Sequence, residues 1–230
     1  MPNFVENLCD IAFIVMNEKT INISISKEQV SKFPTATYPG YITVVDDYDT
    51  AKESLRYLNT KSVVGIDTET KPSFRKGTPN KVSLIQIASE SQAFLFRINK
   101  IGFIEELRQF LGNGAIKKVG LSLKDDFRAL RRIDDFEPAS IVELQSYVKK
   151  FNISDNSLQK IFAIIFGERI SKGQRLSNWE AEVLTSGQQN YAALDAWACL
   201  KLYNHLESGA FNPQKSPFVT FADENTILNS

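Results

Sequence analysis

The chain has 230 residues, of which 43% are hydrophobic and 23% are charged, as in a globular protein with one sizeable α/β domain or a domain with an extension. Its 27 basic and 27 acidic side chains give a net charge of zero, so a nucleic-acid partner would need a local basic patch. One histidine excludes His-rich metal sites and HExxH proteases, and two distant cysteines support neither a zinc ribbon nor a disulfide scaffold.

The first 15 residues include the start of a short apolar patch over 11–16, which is too short to span a bilayer. No basic region precedes the patch and no small-residue cleavage site follows it, so a signal peptide is not expected. Met16 is an alternative start, which would make residues 1–15 an upstream extension. On these grounds we expect no membrane association, and the cytoplasm is the default location.

The first part of the chain alternates between short apolar runs and polar turns. A four-residue polar link joins the last two runs, which is typical of a hairpin. We predict a lead-in over residues 1–40 and then the start of a main domain. The predicted elements are strands over 21–25, 41–45, 62–67, 82–88 and 93–98, with a helix over 48–58.

Beyond residue 100 the pattern changes to helices alternating with strands, and then to helices alone. An antiparallel meander followed by βα units predicts a mixed sheet of five to six strands flanked by helices. The tail over 208–230 has no clear period, so we expect it to be irregular or frayed. The predicted elements are strands over 117–120 and 139–143 and helices over 103–111, 124–132, 145–150, 158–166 and 187–206, the last begun by a Thr185–Gln188 capping box.

Two carboxylates, Asp67 and Glu69, come at the end of the apolar run over 62–66. Residues two apart on a strand point to the same face. Burying both acids is costly unless a positive group lies between them, and a divalent cation with hard oxygen ligands is the simplest such group. Taken alone, an Asp-x-Glu pair fits a surface turn or a salt-bridged pair equally well.

Three later segments add further candidates. Asp126 lies near the start of a predicted helix, as a candidate functional acid or as a helix cap. Tyr191 and Asp195 lie one turn apart on the last helix, and an acid within that apolar stretch needs a partner. The basic residues Lys172 and Arg175 precede this helix. They could contact substrate phosphates or be solvated surface charges.

These motifs, in this order and spacing, resemble the DEDD-type 3′–5′ exonucleases with tyrosine in the third motif, the branch of ribonuclease D and the Werner-syndrome exonuclease. The resemblance covers about residues 41–207, and the segment over 172–179 is also similar to the Werner-like branch. It implies an α/β, ribonuclease H-like fold. It also implies metal-binding acids and a tyrosine that positions the attacking water: Asp67, Glu69, Asp126 and Asp195, with Tyr191.

The second motif decides between two adjacent acids. The family's Asp is followed four positions later by an apolar residue, here Leu130, so the resemblance favours Asp126 over Asp125. Ser122 is a departure, because many relatives carry Asn or His there. The only histidine lies ten residues beyond Asp195, so the histidine variant of the third motif is absent.

Phosphodiester hydrolysis needs an activated water and neutralised charge on the leaving oxygen, which two divalent ions about 3.5–4 Å apart supply. We expect Mg²⁺ or Mn²⁺. Asp67 would bridge both ions, Glu69 and Asp195 would hold the water-activating ion, and Asp126 the other. Tyr191, with an ordinary pKa of about 10, suits orientation of water rather than proton removal. The expected substrate-binding residues are Thr68, Lys172 and Arg175.

The sequence thus predicts a 3′–5′ exonuclease that releases nucleoside 5′-monophosphates from nucleic acid with a free 3′ end, with DNA as first substrate and a possible protein partner for processivity. Trimming of RNA 3′ ends is the first alternative. A non-catalytic nucleic-acid binding module is the second. A nucleotide-dependent phosphoryl transferase is disfavoured, because the glycines over 112–114 do not form a phosphate loop.

Overall fold

A computed structural model describes residues 21–71 and 81–221. The predictions for residues 1–16 lie outside these ranges. Within them, no helix is long and apolar enough to cross a bilayer. The strands are β1 (Ile21–Ile23), β2 (Tyr41–Val45), β3 (Val63–Thr70), β4 (Val82–Ala88), β5 (Gln92–Arg97), β6 (Lys117–Gly120), β7 (Ile141–Glu143) and β8 (Val219–Phe221).

The helices of the described residues differ widely in length. Two short 3₁₀ segments, Val148–Phe151 and Pro213–Lys215, accompany them. The α-helices are α1 (Lys27–Ser31), α2 (Tyr48–Leu58), α3 (Ile98–Ile101), α4 (Glu105–Gly112), α5 (Leu123–Leu130), α6 (Leu144–Tyr147), α7 (Leu158–Phe166) and α8 (Ser186–Glu207).

Six strands form one mixed sheet in the order β2-β5-β4-β3-β6-β7. The hairpin β4–β5 and the pair β3–β4 are antiparallel, whereas β2 runs parallel to β5 and β3, β6 and β7 run parallel to one another. This confirms the predicted mixed sheet of five to six strands flanked by helices. Strand β3, which carries Asp67 and Glu69, is central and has neighbours on both sides.

Helices cover both faces of this sheet and form two apolar clusters. On one face α8 lies across β3 and β4 and packs with α7 through residues such as Ala192 and Phe162. On the other face α2, α4 and α5 contribute Leu55, Leu107 and Phe127 to a second cluster. We call these the α8 face and the opposite face of the sheet.

The close contact of α8 with β3 depends on a glycine. A Cβ atom at Gly65 would lie 1.9 Å from the main-chain oxygen of Ala196, in the middle of α8. Only a residue without a side chain allows this approach. The helix begins where predicted, with a capping box between Thr185 and Gln188. Gly65 and the cap together set the height and register of α8 on the sheet.

The prediction was wrong at four places. Strand β3 continues to Thr70 rather than ending at residue 67, because antiparallel pairing with β4 extends through Glu69 and Leu84. The short helices α1 and α3 were not predicted. The tail is not irregular throughout, because Thr220 of β8 pairs with Asn22 of β1. A three-residue strand has no readable period, so only this distant pairing reveals it.

Candidate active site

The first two candidate acids lie on the α8 face of the central strand. Alternation along β3 puts Gly65, Asp67 and Glu69 on one face and Val64, Ile66 and Thr68 on the other. Glu69 is only 9% exposed, and Asp67 is partly buried. Both acids therefore extend toward α8 from a strand held by hydrogen bonds to both neighbours.

Asp195 approaches the same point from α8, where it is 7% exposed. One carboxylate oxygen from each of Asp67, Glu69 and Asp195 lies within 4.8 Å of the others. Because Ala196 is the residue that contacts Gly65, the glycine brings the neighbouring Asp195 down onto the sheet. Two acids of β3 and one acid of the distant helix α8 thus form one largely buried carboxylate cluster.

Asp126 lies beside the carboxylate cluster but outside its 4.8 Å group. It is partly buried in the first turn of α5, and its Oδ1 accepts a hydrogen bond of 2.6 Å from the Thr68 hydroxyl. Its charge still acts on Asp67 and Glu69, whose pKa values it helps to raise. The neighbouring Asp125 is exposed and pairs with Arg128 at 3.1 Å.

Glu143, at the end of β7, holds the start of α5 and was not singled out from the sequence. Its two carboxylate oxygens accept hydrogen bonds from the main-chain N–H groups of Ser122 and Leu123, each at 2.9 Å. Ser122 adopts a left-handed conformation with φ of 66°. The available signal was the position of Glu143 at the carboxyl end of a strand parallel to β6. Glu143 therefore fixes the turn that presents Asp126.

Tyr191 lies one helical turn before Asp195, with its hydroxyl beside the Asp195 carboxylate. Its ring packs on the fully buried indole of Trp179, with 6.1 Å between centroids and 35° between planes. Burial, and then the negative charge of Asp195, raise the pKa of Tyr191 far above its ordinary value. The hydroxyl consequently stays protonated at neutral pH and is held at the edge of the carboxylate cluster.

The electrostatics of the carboxylate cluster reflect burial and mutual repulsion. Burial, followed by the charges of Asp195, Asp126 and Glu69, raises the pKa of Asp67 well above its ordinary value. Burial, followed by the charges of Asp195 and Asp126, raises the pKa of Glu69 to about 8, and burial raises that of Asp195 to about 7. Burial also raises the pKa of Asp126 to about 6, against the Thr68 hydrogen bond. Ionising all four acids therefore requires added positive charge.

Lys172 and Arg175 are exposed side chains in the loop between α7 and α8. The Lys172 charge acts to lower the pKa of Asp195, and the Arg175 charge acts to lower that of Glu69. The two cations thus lie near the carboxylate cluster at the solvent side. Because both side chains are exposed, they do not neutralise the carboxylate cluster. Its excess negative charge calls for a bound cation.

The chemistry of the donor set fits divalent metal ions. Carboxylate oxygens are hard ligands of the kind that Mg²⁺ and Mn²⁺ prefer. The three oxygens that lie within 4.8 Å of one another could hold one ion, and the charge of Asp126 acts on Asp67 from beside them. Such a site can neutralise a phosphate and lower the pKa of a bound water.

Comparison with known proteins agrees with this geometry. Residues 42–209 match a family model described as 3′–5′ exonuclease. This match covers well over half of the chain, and the protein belongs to that family. The resemblance to the DEDD-type exonucleases is thereby confirmed.

Two curated relatives show how the chain compares with longer proteins. The bifunctional 3′–5′ exonuclease/ATP-dependent helicase WRN of Mus musculus is 35% identical over 155 residues, which cover 65% of this chain and 11% of that protein. DNA polymerase I of Aquifex aeolicus is 29% identical over 153 residues, which cover 66% of this chain and 25% of that protein. The chain therefore spans about a tenth and a quarter of these two relatives.

The fold is that of solved exonucleases. The crystal structure of Trypanosoma brucei RNase D in complex with RNA U12 superposes with a TM-score of 0.65 at 19% identity, covering 78% of this chain and 64% of that one. Together with the strand order, this identifies the ribonuclease H-like fold that the resemblance implied.

Proposed function

We propose that this chain is a metal-dependent 3′–5′ exonuclease that releases nucleoside 5′-monophosphates. The observation that carries the proposal is the buried carboxylate cluster of Asp67, Glu69 and Asp195, with oxygens within 4.8 Å of one another and a tyrosine at its edge. Such a cluster is unfavourable by itself, because repulsion and burial oppose its ionisation. A fold that keeps it is best explained by binding of divalent cations.

In the proposed reaction a water oxygen attacks the terminal phosphorus. The bond from that phosphorus to the O3′ of the preceding nucleotide breaks, and that O3′ takes up a proton. Two Mg²⁺ or Mn²⁺ ions would supply an activated water and neutralise charge on the leaving oxygen. Asp67 would hold both ions, Glu69 and Asp195 the water-activating one, and Asp126 the other.

The role proposed for Tyr191 is to orient the attacking water. Its hydroxyl lies beside Asp195, and its raised pKa keeps the proton on the oxygen at neutral pH. A protonated hydroxyl holds a water by hydrogen bonding but cannot remove its proton. The Trp179 indole behind the ring restricts its motion, which favours a single orientation.

Lys172 and Arg175 are proposed to bind substrate phosphates. Both are exposed and act electrostatically on acids of the carboxylate cluster. They provide local positive charge in a chain whose net charge is zero. Thr68 stays a predicted substrate residue. Its hydroxyl donates to Asp126, so any effect of changing Thr68 will include the position of that acid.

For the substrate we propose DNA first, on the similarity of residues 172–179 to the Werner-like branch and on the match to a DNA polymerase I. RNA is the second candidate, since the RNase D of similar fold was solved with RNA U12. Because the net charge of the chain is zero, we propose that processive degradation needs a protein partner or a small basic groove. A cytoplasmic location also stays a prediction.

The test uses 5′-labelled single-stranded DNA and RNA of one sequence, with Mg²⁺, with Mn²⁺ and with chelator. We expect a metal-dependent ladder that shortens from the 3′ end and is lost in Asp67→Ala. The matched control is Asp125→Ala, which removes an exposed acid near the site and should leave the ladder intact. Faster shortening of RNA would reverse the substrate order.

Absence of cleavage of both substrates in both metals would contradict the enzymatic proposal. Gel-shift binding of either strand in chelator, unchanged in Asp67→Ala, would then favour the non-catalytic nucleic-acid binding module. Release of nucleosides without phosphate, measured by chromatography of the products, would contradict the proposed bond cleavage.

A further inference from the structure

Gln86 is a buried polar residue that the proposed mechanism does not use. It lies in the middle of β4 directly opposite Asp67 of β3. Opposed residues of an antiparallel pair project to the same face, with Cβ atoms about 4.5–5.5 Å apart. Its neighbours on that face, Leu84 and Ala88, belong to the cluster packed against α8. The Gln86 carboxamide therefore points into the α8 face beside the carboxylate of Asp67.

The carboxamide has no use in holding the fold. Gln86 is 0% exposed, and among the described residues neither its Oε1 nor its Nε2 has a hydrogen-bond partner. A buried amide without partners is destabilising. Leucine or methionine would fill the same space without that cost. The unfavourable burial of this amide is explained if it forms a hydrogen bond in another state of the protein.

The position of Gln86 limits which partner that can be. Full burial excludes direct contact with a nucleic-acid strand in solution. On the same face its direct cross-strand neighbours are Asp67 and Leu95, and its diagonal neighbours include Glu69 and Arg97. The Arg97 guanidinium donates to the main-chain oxygens of Ala181 and Glu182 and keeps an unpartnered Nε. Asp67 is therefore the acceptor directly opposite the Gln86 carboxamide, whereas Glu69 lies at the next same-face position along β3.

We propose that Gln86 is a positioning residue for Asp67, donating a hydrogen bond from Nε2 to the Asp67 carboxylate when that carboxylate binds divalent ions. This inference rests on the proposed function. A carboxylate that binds metal keeps lone pairs on the side away from the ions, and donors at those lone pairs fix its orientation. If Oε1 accepts a hydrogen bond from Arg97 Nε, the amide is oriented with its Nε2 donor toward Asp67.

The amide suits this position better than a charged group. A lysine opposite Asp67 would compete with the cations for the carboxylate, and a glutamate would add a further buried negative charge. A neutral donor orients Asp67 without changing the charge of the site. The effect of Gln86 should consequently appear in metal affinity, with much less effect on the fold.

The test compares Mn²⁺ binding, by isothermal titration calorimetry, with thermal unfolding in chelator. Gln86→Met preserves volume and removes the donor. We expect Mn²⁺ affinity to fall about tenfold, an unfolding temperature in chelator equal to or above that of the wild type, and cleavage restored by raised Mn²⁺. Ile87→Met, on the same strand but the opposite face, is the matched control and should bind Mn²⁺ normally.

Gln86→Leu repeats the measurement with a second side chain. Unchanged Mn²⁺ affinity in either folded variant would overturn the proposal, as would failure of both variants to fold, which would show that the amide supports the fold itself. Mn²⁺ binding by the wild type and by Asp67→Asn tests the proposed function independently of the role of Gln86. Binding of Mn²⁺ by the first and not the second supports the metal site whatever Gln86 does, and no binding by the wild type would contradict the proposed function.

Discussion

The two faces of the central sheet treat buried polar groups in opposite ways. On the opposite face, beneath α4, the fully buried Lys118 donates to the main-chain oxygens of Asn113 and Ala139, at 2.5 and 3.1 Å. On the α8 face, acids lie together with their pKa values raised. Among the described residues, four buried side chains have an unpartnered polar atom, and all lie on the α8 face: Tyr38, Gln86, Arg97 and Trp179.

This difference indicates a division of roles. Polar groups that are already satisfied stabilise the fold, whereas groups held close together without partners are available to bind something else. The α8 face is therefore destabilised by the arrangement that prepares it to bind cations. The predictions that follow test this division, beginning with the change that should disturb the α8 face most.

Gly65→Ala should have the largest effect, because its Cβ would lie 1.9 Å from a main-chain oxygen of α8 that cannot move alone. We expect the free energy of unfolding to fall by about 3 kcal/mol and nuclease activity to be lost as Asp195 moves off the sheet. Urea unfolding measures the first and cleavage of labelled DNA the second. Gly114→Ala, at a site with no atom within 4 Å, is the control. Equal stability of the two variants would contradict the close packing of α8.

Asp126→Asn tests the one acid that reaches the site from the opposite face. We expect activity to fall on the order of a thousand-fold, since removing one ligand charge costs several kcal/mol of transition-state stabilisation. Asp125→Asn, next to it but exposed, should keep activity near that of the wild type. If the two variants reverse this order, the assignment of the second motif is wrong.

Tyr191→Phe separates orientation of water from metal binding. It removes the hydroxyl beside Asp195 and keeps the ring on Trp179. We expect kcat to fall about 10- to 100-fold, with substrate KM and Mn²⁺ affinity nearly unchanged. Single-turnover kinetics and calorimetry measure these quantities. A loss of Mn²⁺ affinity as large as the loss of kcat would show that Tyr191 acts through the metal site.

Stability in chelator should depend on pH because of the carboxylate cluster. The folded-state pKa of Glu69 is about 8 against an ordinary 4.5, and that of Asp195 about 7 against 3.8. Acids with raised pKa values bind protons more tightly when folded, so their stabilisation is complete at low pH and is lost as the pH rises. We expect the unfolding temperature to fall by several degrees between about pH 5 and pH 8.

Asp195→Asn should flatten this pH dependence in calorimetric scans, because it removes one of the repelling charges. Mg²⁺ should stabilise the wild type more at pH 8 than at pH 5, since the acids then bind the ion without losing protons. A wild-type unfolding temperature that rises with pH in chelator would contradict the raised pKa values.

The smallest effects are expected at the exposed cations. Lys172→Ala and Arg175→Ala should each raise the KM for DNA several-fold and weaken its salt dependence, because each would remove one phosphate contact. Lys149→Ala changes an equally exposed lysine elsewhere and should leave KM unchanged. Salt titrations of KM for the three variants measure this. Identical salt slopes in all three would exclude Lys172 and Arg175 from the phosphate contacts.

The sequence predicted the elements with strong local patterns and the chemistry that the acids share. Asp67, Glu69, Tyr191 and Asp195 could be singled out because each lies in or beside an apolar segment. A buried acid or hydroxyl in such a segment is unfavourable unless it has a partner. The mixed character of the sheet and the capping box at Thr185 were also predictable, from the succession of apolar runs and from the spacing of Thr185 and Gln188. The roles of these residues in catalysis stay predictions.

What only the tertiary structure decided was which polar groups meet. The approach of α8 at Gly65, the hold of Glu143 on the start of α5, the pairing of β1 with β8 and the burial of Gln86 opposite Asp67 all join residues distant in sequence. Hydrophobic periodicity reports which face of an element is buried, but not which element covers it. The contact that places Asp195 over Asp67 depends on backbone approach and register, which appear only once the chain is folded.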